Sequence, residues 1–119
     1  MFDCKLRIKA PLDEVKARLA DIESLEYTRQ GDWTLVEAPS GTQLFGWEVD
    51  AWMELAGSRE LCYAYYDEEQ NAEFVHIRDG VCLRVYQEYG GEVDTDEGSD
   101  SECAISDGAD VADYLDERM

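Results

Sequence analysis

The chain has 119 residues, of which 45% are hydrophobic, and a formal net charge of −19 at pH 7. This length and apolar content predict one folded domain with a real core and exclude wholesale disorder. Because a strongly negative protein repels nucleic acid and anionic membranes and attracts basic surfaces, we expect a basic protein partner, no direct nucleic acid binding and no membrane binding.

Targeting signals are the next feature that the sequence constrains. The opening stretch MFDCKLRIKA lacks the apolar core of a signal peptide. No segment approaches the run of about 18 apolar residues that a membrane span needs. We therefore expect a cytoplasmic protein.

Four cysteines are spread widely along the chain, at Cys4, Cys62, Cys82 and Cys103. None forms a CxxC pair, so their spacing predicts neither a zinc motif nor a thioredoxin-like motif. In a reducing compartment we expect free and mostly buried thiols. We accordingly expect no metal site and no cofactor.

Strand and helix patterns alternate through the first half of the chain. Residues 3–10 alternate apolar and basic side chains, as is typical of a half-buried strand. Residues 11–24 carry apolar side chains at helical spacing behind a proline, which predicts a helix. Residues 25–38 predict two strands around a turn, and residues 47–57 predict a second, shorter helix.

Three further strands are predicted in the second half, at residues 60–67, 72–78 and 81–89. The dipeptide Asp79-Gly80 between the last two is a strong hairpin signal. The resulting order, β-α-β-β-α-β-β-β, predicts an α+β fold. The nearest named architecture is a ferredoxin-like sandwich, an antiparallel sheet with two helices packed on one face.

About half of the net charge lies in the last quarter of the chain. Residues 1–91 hold 18 acids and 9 bases, whereas residues 92–119 hold 11 acids and 1 base. We therefore predict a single α+β domain over residues 1–91. We expect residues 92–119 to form an acidic C-terminal segment, or tail, that is partly ordered or contains a short helix.

A characteristic succession of elements occupies residues 46–89. A tryptophan-led helix at 47–56 is followed by a tyrosine-rich strand at 62–66, an acidic turn at 67–71 and a hairpin closing on Gly80. In this order the segment resembles the C-terminal part of the YubB-type ferredoxin-like family. Its members occur on plasmids and phages and mostly lack a defined activity. The resemblance implies a fold and a mobile-element origin, and it carries over no functional residue.

No catalytic signature appears in the chain. The single histidine, His76, lies in a predicted strand, where we expect a partly exposed residue rather than a general base with a positioned partner. No cysteine lies at a helix start or beside a clear cationic cluster, where a nucleophilic thiol is expected. We therefore predict that the protein is not an enzyme.

The acidic segment invites a comparison with calcium-binding loops. An EF-hand loop beginning at Asp94 would place Gly98 at position 5 and Ile105 at position 12, so the template fails. Irregular, weak calcium binding by Asp94, Asp96 and Asp100 stays open, beside the simpler interpretation of a solvated linker.

A row of cations lies on the outer side of the first predicted strand. It consists of Lys5, Arg7 and Lys9, and we expect Arg84 of the last core strand to face the same way. Such an open sheet face could bind an anion or a nucleic acid strand. A solvated face with charge pairs between strands is the simpler alternative. In a third alternative, the acidic tail lies across this basic face and neutralises it.

These patterns favour a non-enzymatic binding protein that docks on a basic protein surface. In its sharper form the protein imitates nucleic acid and inhibits a DNA- or RNA-binding defence enzyme, because carboxylates aligned along a helix resemble a row of phosphates. The alternatives are an immunity or antitoxin protein against a basic toxin, and a ferredoxin-like protein without inhibitor role. The oligomeric state stays open. The predicted partner-binding residues are Asp94, Asp96, Glu97, Asp100, Glu102, Asp107, Asp110, Asp113, Asp116 and Glu117.

Overall fold

A computed structural model of the chain describes residues 2–39, 43–99, 103 and 105–119. Within these residues the chain forms seven strands and three helices. In chain order they are β1 (Phe2–Ile8), α1 (Leu12–Arg18), β2 (Glu26–Gln30), β3 (Trp33–Glu37), α2 (Val49–Ala56), β4 (Leu61–Asp67), β5 (Ala72–Arg78), β6 (Val81–Tyr89), β7 (Glu92–Gly98) and α3 (Gly108–Arg118).

The seven strands form one sheet in the order β2-β3-β1-β4-β5-β6-β7, and all neighbouring strands run antiparallel. Successive hairpins connect β4 to β7. The predicted Asp79-Gly80 turn is confirmed: both residues have positive φ, at 53° and 75°, as a two-residue turn that follows the twist of the strands requires. β2 and β7 are the edge strands of this sheet.

One face of the sheet carries the larger core. The alternation predicted for β1 is confirmed, since Cys4, Leu6 and Ile8 are buried on this side. The helices α1 and α2 pack here, and the Trp52 ring stacks on Tyr63 with ring centroids 4.2 Å apart. We call this side of the sheet the α1/α2 face.

The opposite face of the sheet carries a second core beneath α3. The rings of Phe74 on β5 and Tyr114 on α3 meet edge to face, with centroids 5.0 Å apart. The described members of this core are Ala64, Ala72, Phe74, Tyr86, Cys103, Ile105, Val111, Tyr114 and Leu115. We call this side the α3 face. The molecule therefore has three layers, with helices on both sides of the sheet.

The predicted ferredoxin-like sandwich with two helices on one face is wrong. The sheet has seven strands, and a third helix covers the face opposite α1 and α2. The sequence EVDTDEG did not predict a strand at β7, because aspartate, glutamate and glycine are rare in strands. Pairing with β6 nevertheless satisfies the backbone hydrogen bonds of this segment. The first helix is also shorter than predicted and ends at Arg18.

Candidate functional site

The outer edge of β7 is lined with exposed carboxylates. All residues of this strand except Thr95 are exposed. One side of β7 pairs with β6, and the strand order places no further strand on its other side within the described residues. On that outer side, backbone N–H and C=O groups of β7 lie next to the side chains of Glu92, Asp94, Asp96 and Glu97. We call this strip the acidic edge.

Arg84 anchors the acidic edge to the sheet. Its guanidinium group donates to the carbonyl oxygens of Ile105 (2.7 Å) and Glu97 (2.8 Å) and pairs with the Asp96 carboxylate at 2.7 Å. Only 6% of Arg84 is exposed. Arg84 faces the same side of the sheet as Arg7, as expected, because the register pairs Arg7 with Cys62, Cys62 with His76 and His76 with Arg84. This part of the face is not open, however, because α3 and the residues preceding it cover it.

The other predicted cations of the basic face lie on β1 or just beyond it. The Arg7 guanidinium stacks over the Trp33 ring at 4.9 Å, and Lys5 is half-buried. Lys9 is exposed and lines a recess of about 540 Å³ at one end of the sheet. Arg29, Arg59 and Arg78 line the same recess, together with the acids Asp32, Glu60 and Asp79.

The predicted partner-binding acids of the C-terminal helix divide into two groups. Asp107 is the N-cap of α3 and accepts a hydrogen bond from the Asp110 backbone N–H, while the Asp110 carboxylate accepts from the backbone and hydroxyl of Ser106. These two acids serve the helix start. The exposed group on the outer side of α3 consists of Asp113, Asp116 and Glu117. Asp100 and Glu102 lie outside the described residues.

A cluster of thiol, imidazole and carboxylate groups lies on the α3 face, under the C-terminal segment. Cys62 on β4 stands opposite His76 on β5 in the strand register. The Cys103 sulfur lies 3.9 Å from His76 Nδ1, and His76 Nε2 lies 2.8 Å from a Glu60 carboxylate oxygen. We call Glu60, Cys62, His76 and Cys103 the thiol–imidazole cluster.

Burial and hydrogen bonds set the protonation of this cluster. Burial raises the pKa of Glu60, but hydrogen bonds from His76 and Arg78 outweigh it, and the pKa is lowered overall. The Glu60 carboxylate accepts a hydrogen bond from the Nε2–H of His76, and Nδ1 on the other side of the ring faces Cys103. A hydrogen bond from Cys103 lowers the pKa of the Cys62 thiol.

Sequence reasoning missed this cluster. His76 was expected to be partly exposed, which is wrong: it is 1% exposed. The cysteines were expected to be free of disulfides and mostly buried, which is confirmed, because Cys4, Cys62 and Cys103 are buried and not joined in disulfide bonds. Only the strand register and the return of the chain after β7 bring the cluster together. No local spacing signals either feature.

Comparisons with protein-family models, curated proteins and solved structures find no match to this chain. The resemblance of residues 46–89 to the YubB-type family therefore stays a prediction. Among the described residues, no helix has the length and apolar character that a membrane crossing requires.

Proposed function

We propose that this protein is a non-enzymatic binding protein whose acidic edge and outer α3 surface dock on a basic surface of another protein. The observation that carries the proposal is the exposure of the acids on these two elements. Asp94 and Glu97 on β7, and Asp113, Asp116 and Glu117 on α3, are all exposed. Unlike Asp107 and Asp110, they do not accept the hydrogen bonds that cap the start of α3.

The outer edge of β7, which pairs with no further strand among the described residues, adds a specific mode of contact. Its outward backbone groups suit the addition of an extended strand from a partner, a common mode of peptide recognition. Carboxylates on this edge repel a second copy of the same edge and favour a strand rich in lysine and arginine. Val93, 54% exposed among the acids, offers an apolar contact in the same strip.

The sharper form of the proposal is nucleic acid mimicry against a DNA- or RNA-binding defence enzyme. Residues 113–117 of α3 span about 6 Å of helix axis and carry three acids, a charge density comparable to that of a nucleic acid strand, with one charge per about 3.4 Å. The proposed setting is the cytoplasm of a cell infected by a phage or carrying a mobile element. Cysteines that are not joined in disulfide bonds fit a reducing compartment.

Two variants with equal changes of charge test this proposal. The five-amide variant replaces exposed acids of β7 and α3: Asp94→Asn, Glu97→Gln, Asp113→Asn, Asp116→Asn and Glu117→Gln. The control variant replaces exposed acids elsewhere: Asp21→Asn, Glu23→Gln, Glu26→Gln, Asp50→Asn and Glu54→Gln. Immobilised wild-type protein and both variants are used to capture partners from a host lysate, and the captured protein is then purified and its affinity measured with and without duplex DNA.

We expect a basic protein that binds wild type and the control variant, binds the five-amide variant at least tenfold more weakly, and is displaced by DNA. Binding of wild type should fall steeply as salt rises, because exposed charges are screened. Equal loss of binding in both variants would contradict a role for β7 and α3. The captured protein could instead be a toxin that DNA does not displace. If this protein then rescued cells from that toxin, the immunity alternative would replace mimicry.

A further inference from the structure

Two thiols and one imidazole converge beneath α3 from three separate parts of the chain. Cys62 comes from β4, His76 from β5, and Cys103 from the segment between β7 and α3. Two sulfur ligands and one nitrogen ligand form a donor set typical of zinc sites. We propose that Cys62, Cys103 and Nδ1 of His76 bind a zinc ion.

The separation of one donor pair, Cys103 and His76, is close to that of a zinc site. Zinc bonds of about 2.3 Å to sulfur and about 2.0 Å to nitrogen, at a tetrahedral angle, separate the two donor atoms by about 3.6 Å. The Cys103 sulfur lies 3.9 Å from Nδ1 of His76. A ring nitrogen of His76, the Cys62 sulfur and a Glu60 oxygen all lie within 4.8 Å of one another. Closing the site requires side-chain rotations that bring the Cys62 sulfur to Nδ1 of His76, beside Cys103.

Glu60 supplies the second layer of the site. Its carboxylate lies 2.8 Å from His76 Nε2 and accepts a further hydrogen bond from Arg78 at 3.2 Å. Zinc-bound histidines commonly donate their other N–H to a carboxylate, which fixes the ring and makes the bound nitrogen a better ligand. Glu60 therefore acts as a positioning residue, with Arg78 holding it in place.

A buried hydroxyl group next to the sulfurs supports the same assignment. Tyr114 is 5% exposed, and its oxygen makes no hydrogen bond of normal geometry within the described residues, although it approaches Cys62. A buried polar group without a partner is costly. The ion or a zinc-bound water would give this hydroxyl a partner and would complete a four-coordinate site.

The proposed ion has a structural role that is independent of the proposed docking function. It joins β4 and β5 to Cys103, which lies directly before α3, and so holds the C-terminal segment on the α3 face. Exposures of 2% for Cys62 and 3% for Cys103 fit a buried ion that joins elements of the fold better than a thiol that attacks a substrate.

Metal substitution in the full-length protein tests the site. The protein is purified with a reductant, treated with a chelator and titrated with Zn²⁺ and, separately, with Co²⁺, whose thiolate charge-transfer absorption reports sulfur ligation. Wild type is compared with Cys62→Ser, Cys103→Ser and Glu60→Gln. The matched control is Cys82→Ser, because Cys82 lies on β6 outside the cluster and is only partly buried. Circular dichroism confirms that each variant is folded.

We expect one zinc ion per chain, a cobalt–thiolate band, and a higher melting temperature with zinc. Cys62→Ser and Cys103→Ser should each remove the band, Cys82→Ser should leave it unchanged, and Glu60→Gln should weaken metal binding by 10- to 100-fold. Absence of a cobalt–thiolate band in folded wild type would overturn the proposal. An equal effect of Cys82→Ser, or a Cys62–Cys103 disulfide in protein that takes up no metal after reduction, would also overturn it.

Discussion

Glu73 is an acidic residue that is completely buried in the larger core. It is 1% exposed, and its carboxylate accepts hydrogen bonds from the hydroxyl groups of Tyr63 (2.7 Å) and Tyr89 and from the Gly46 backbone N–H (3.1 Å). Burial raises the pKa of Glu73, although these hydrogen bonds act in the opposite direction. All three partners donate to this carboxylate in the structure, and one of them, the Gly46 N–H, cannot accept in return.

This donor set predicts that Glu73→Gln destabilises the fold at pH 7. The amide NH₂ group would either face the Gly46 N–H or force a tyrosine hydroxyl to turn its own proton away from Glu73. A buried donor left without a partner in this way costs about 1–3 kcal/mol in the free energy of unfolding. Urea unfolding measures this cost. The matched control is Glu69→Gln, which changes an exposed glutamate in the β4–β5 turn and should have no effect. An unchanged Glu73→Gln stability would contradict the donor-set argument.

The raised pKa of Glu73 also predicts a pH dependence. Between its usual value of 4.5 and its raised value in the folded protein, the native state binds a proton that the unfolded chain has lost. Wild type therefore loses this part of its stability as pH rises above 4.5, and regains it as pH falls. The stability difference between wild type and Glu73→Gln should widen as pH is lowered from 7 toward 4.5. A constant difference would contradict the shift.

Gly98 is required by a close approach between β7 and β6. Its φ is +86°, and a Cβ atom there would overlap the Leu83 carbonyl oxygen. Gly80 has a similar φ of +75° but open space around it, so it is a matched control. We expect Gly80→Ala to cost about 1 kcal/mol from backbone strain alone, and Gly98→Ala to cost clearly more because the backbone of β7 must shift. If both variants lost the same unfolding free energy, the backbone near Leu83 would move aside for the new Cβ atom at little cost.

At the scale of elements, α3 depends on a local cap and on the core that it covers. The Asp107 carboxylate accepts from the Asp110 N–H at 3.0 Å, and α3 buries Val111, Tyr114 and Leu115 on the sheet. Asp107→Ala should lower the free energy of unfolding by about 1 kcal/mol and increase hydrogen exchange in the first turn of α3. Asp113→Ala, on the exposed side, should change stability by less than about 0.5 kcal/mol. Equal effects would argue against the cap.

Elements with a regular local pattern could be predicted, and elements defined by distant partners could not. The alternation in β1 and the Asp79-Gly80 turn each specify local geometry, and both were predicted correctly. β7 has no such pattern, since its pairing with β6 and the anchor at Arg84 decide its conformation. The thiol–imidazole cluster needs the strand register and the path of the chain past Cys103, and neither follows from spacing in the sequence.

At the scale of the whole molecule, the charges are unevenly placed. Four cations, Lys9, Arg29, Arg59 and Arg78, share one recess with three acids, Asp32, Glu60 and Asp79. Near the acids of β7 and the outer side of α3, the cations are Arg84, which is buried, and Arg118 at the end of the helix. Self-repulsion among like charges destabilises a compact state. The acids proposed to bind a partner should therefore weaken the free protein, while the capping acids Asp107 and Asp110 strengthen it.

If these acids bind a partner at the expense of stability, the five-amide variant should be more stable than wild type and should bind its partner less well. The five substitutions move the net charge from −19 to −14. At about 0.01 M salt, where the Debye length is about 30 Å, the melting temperature of the variant should exceed that of wild type, and the difference should shrink at 1 M, where the length is about 3 Å. The control variant should gain less, since Asp21 and Glu54 lie beside Arg18. A lower melting temperature of the five-amide variant at low salt would show that these carboxylates stabilise the fold, and would remove the argument that they are kept for a partner.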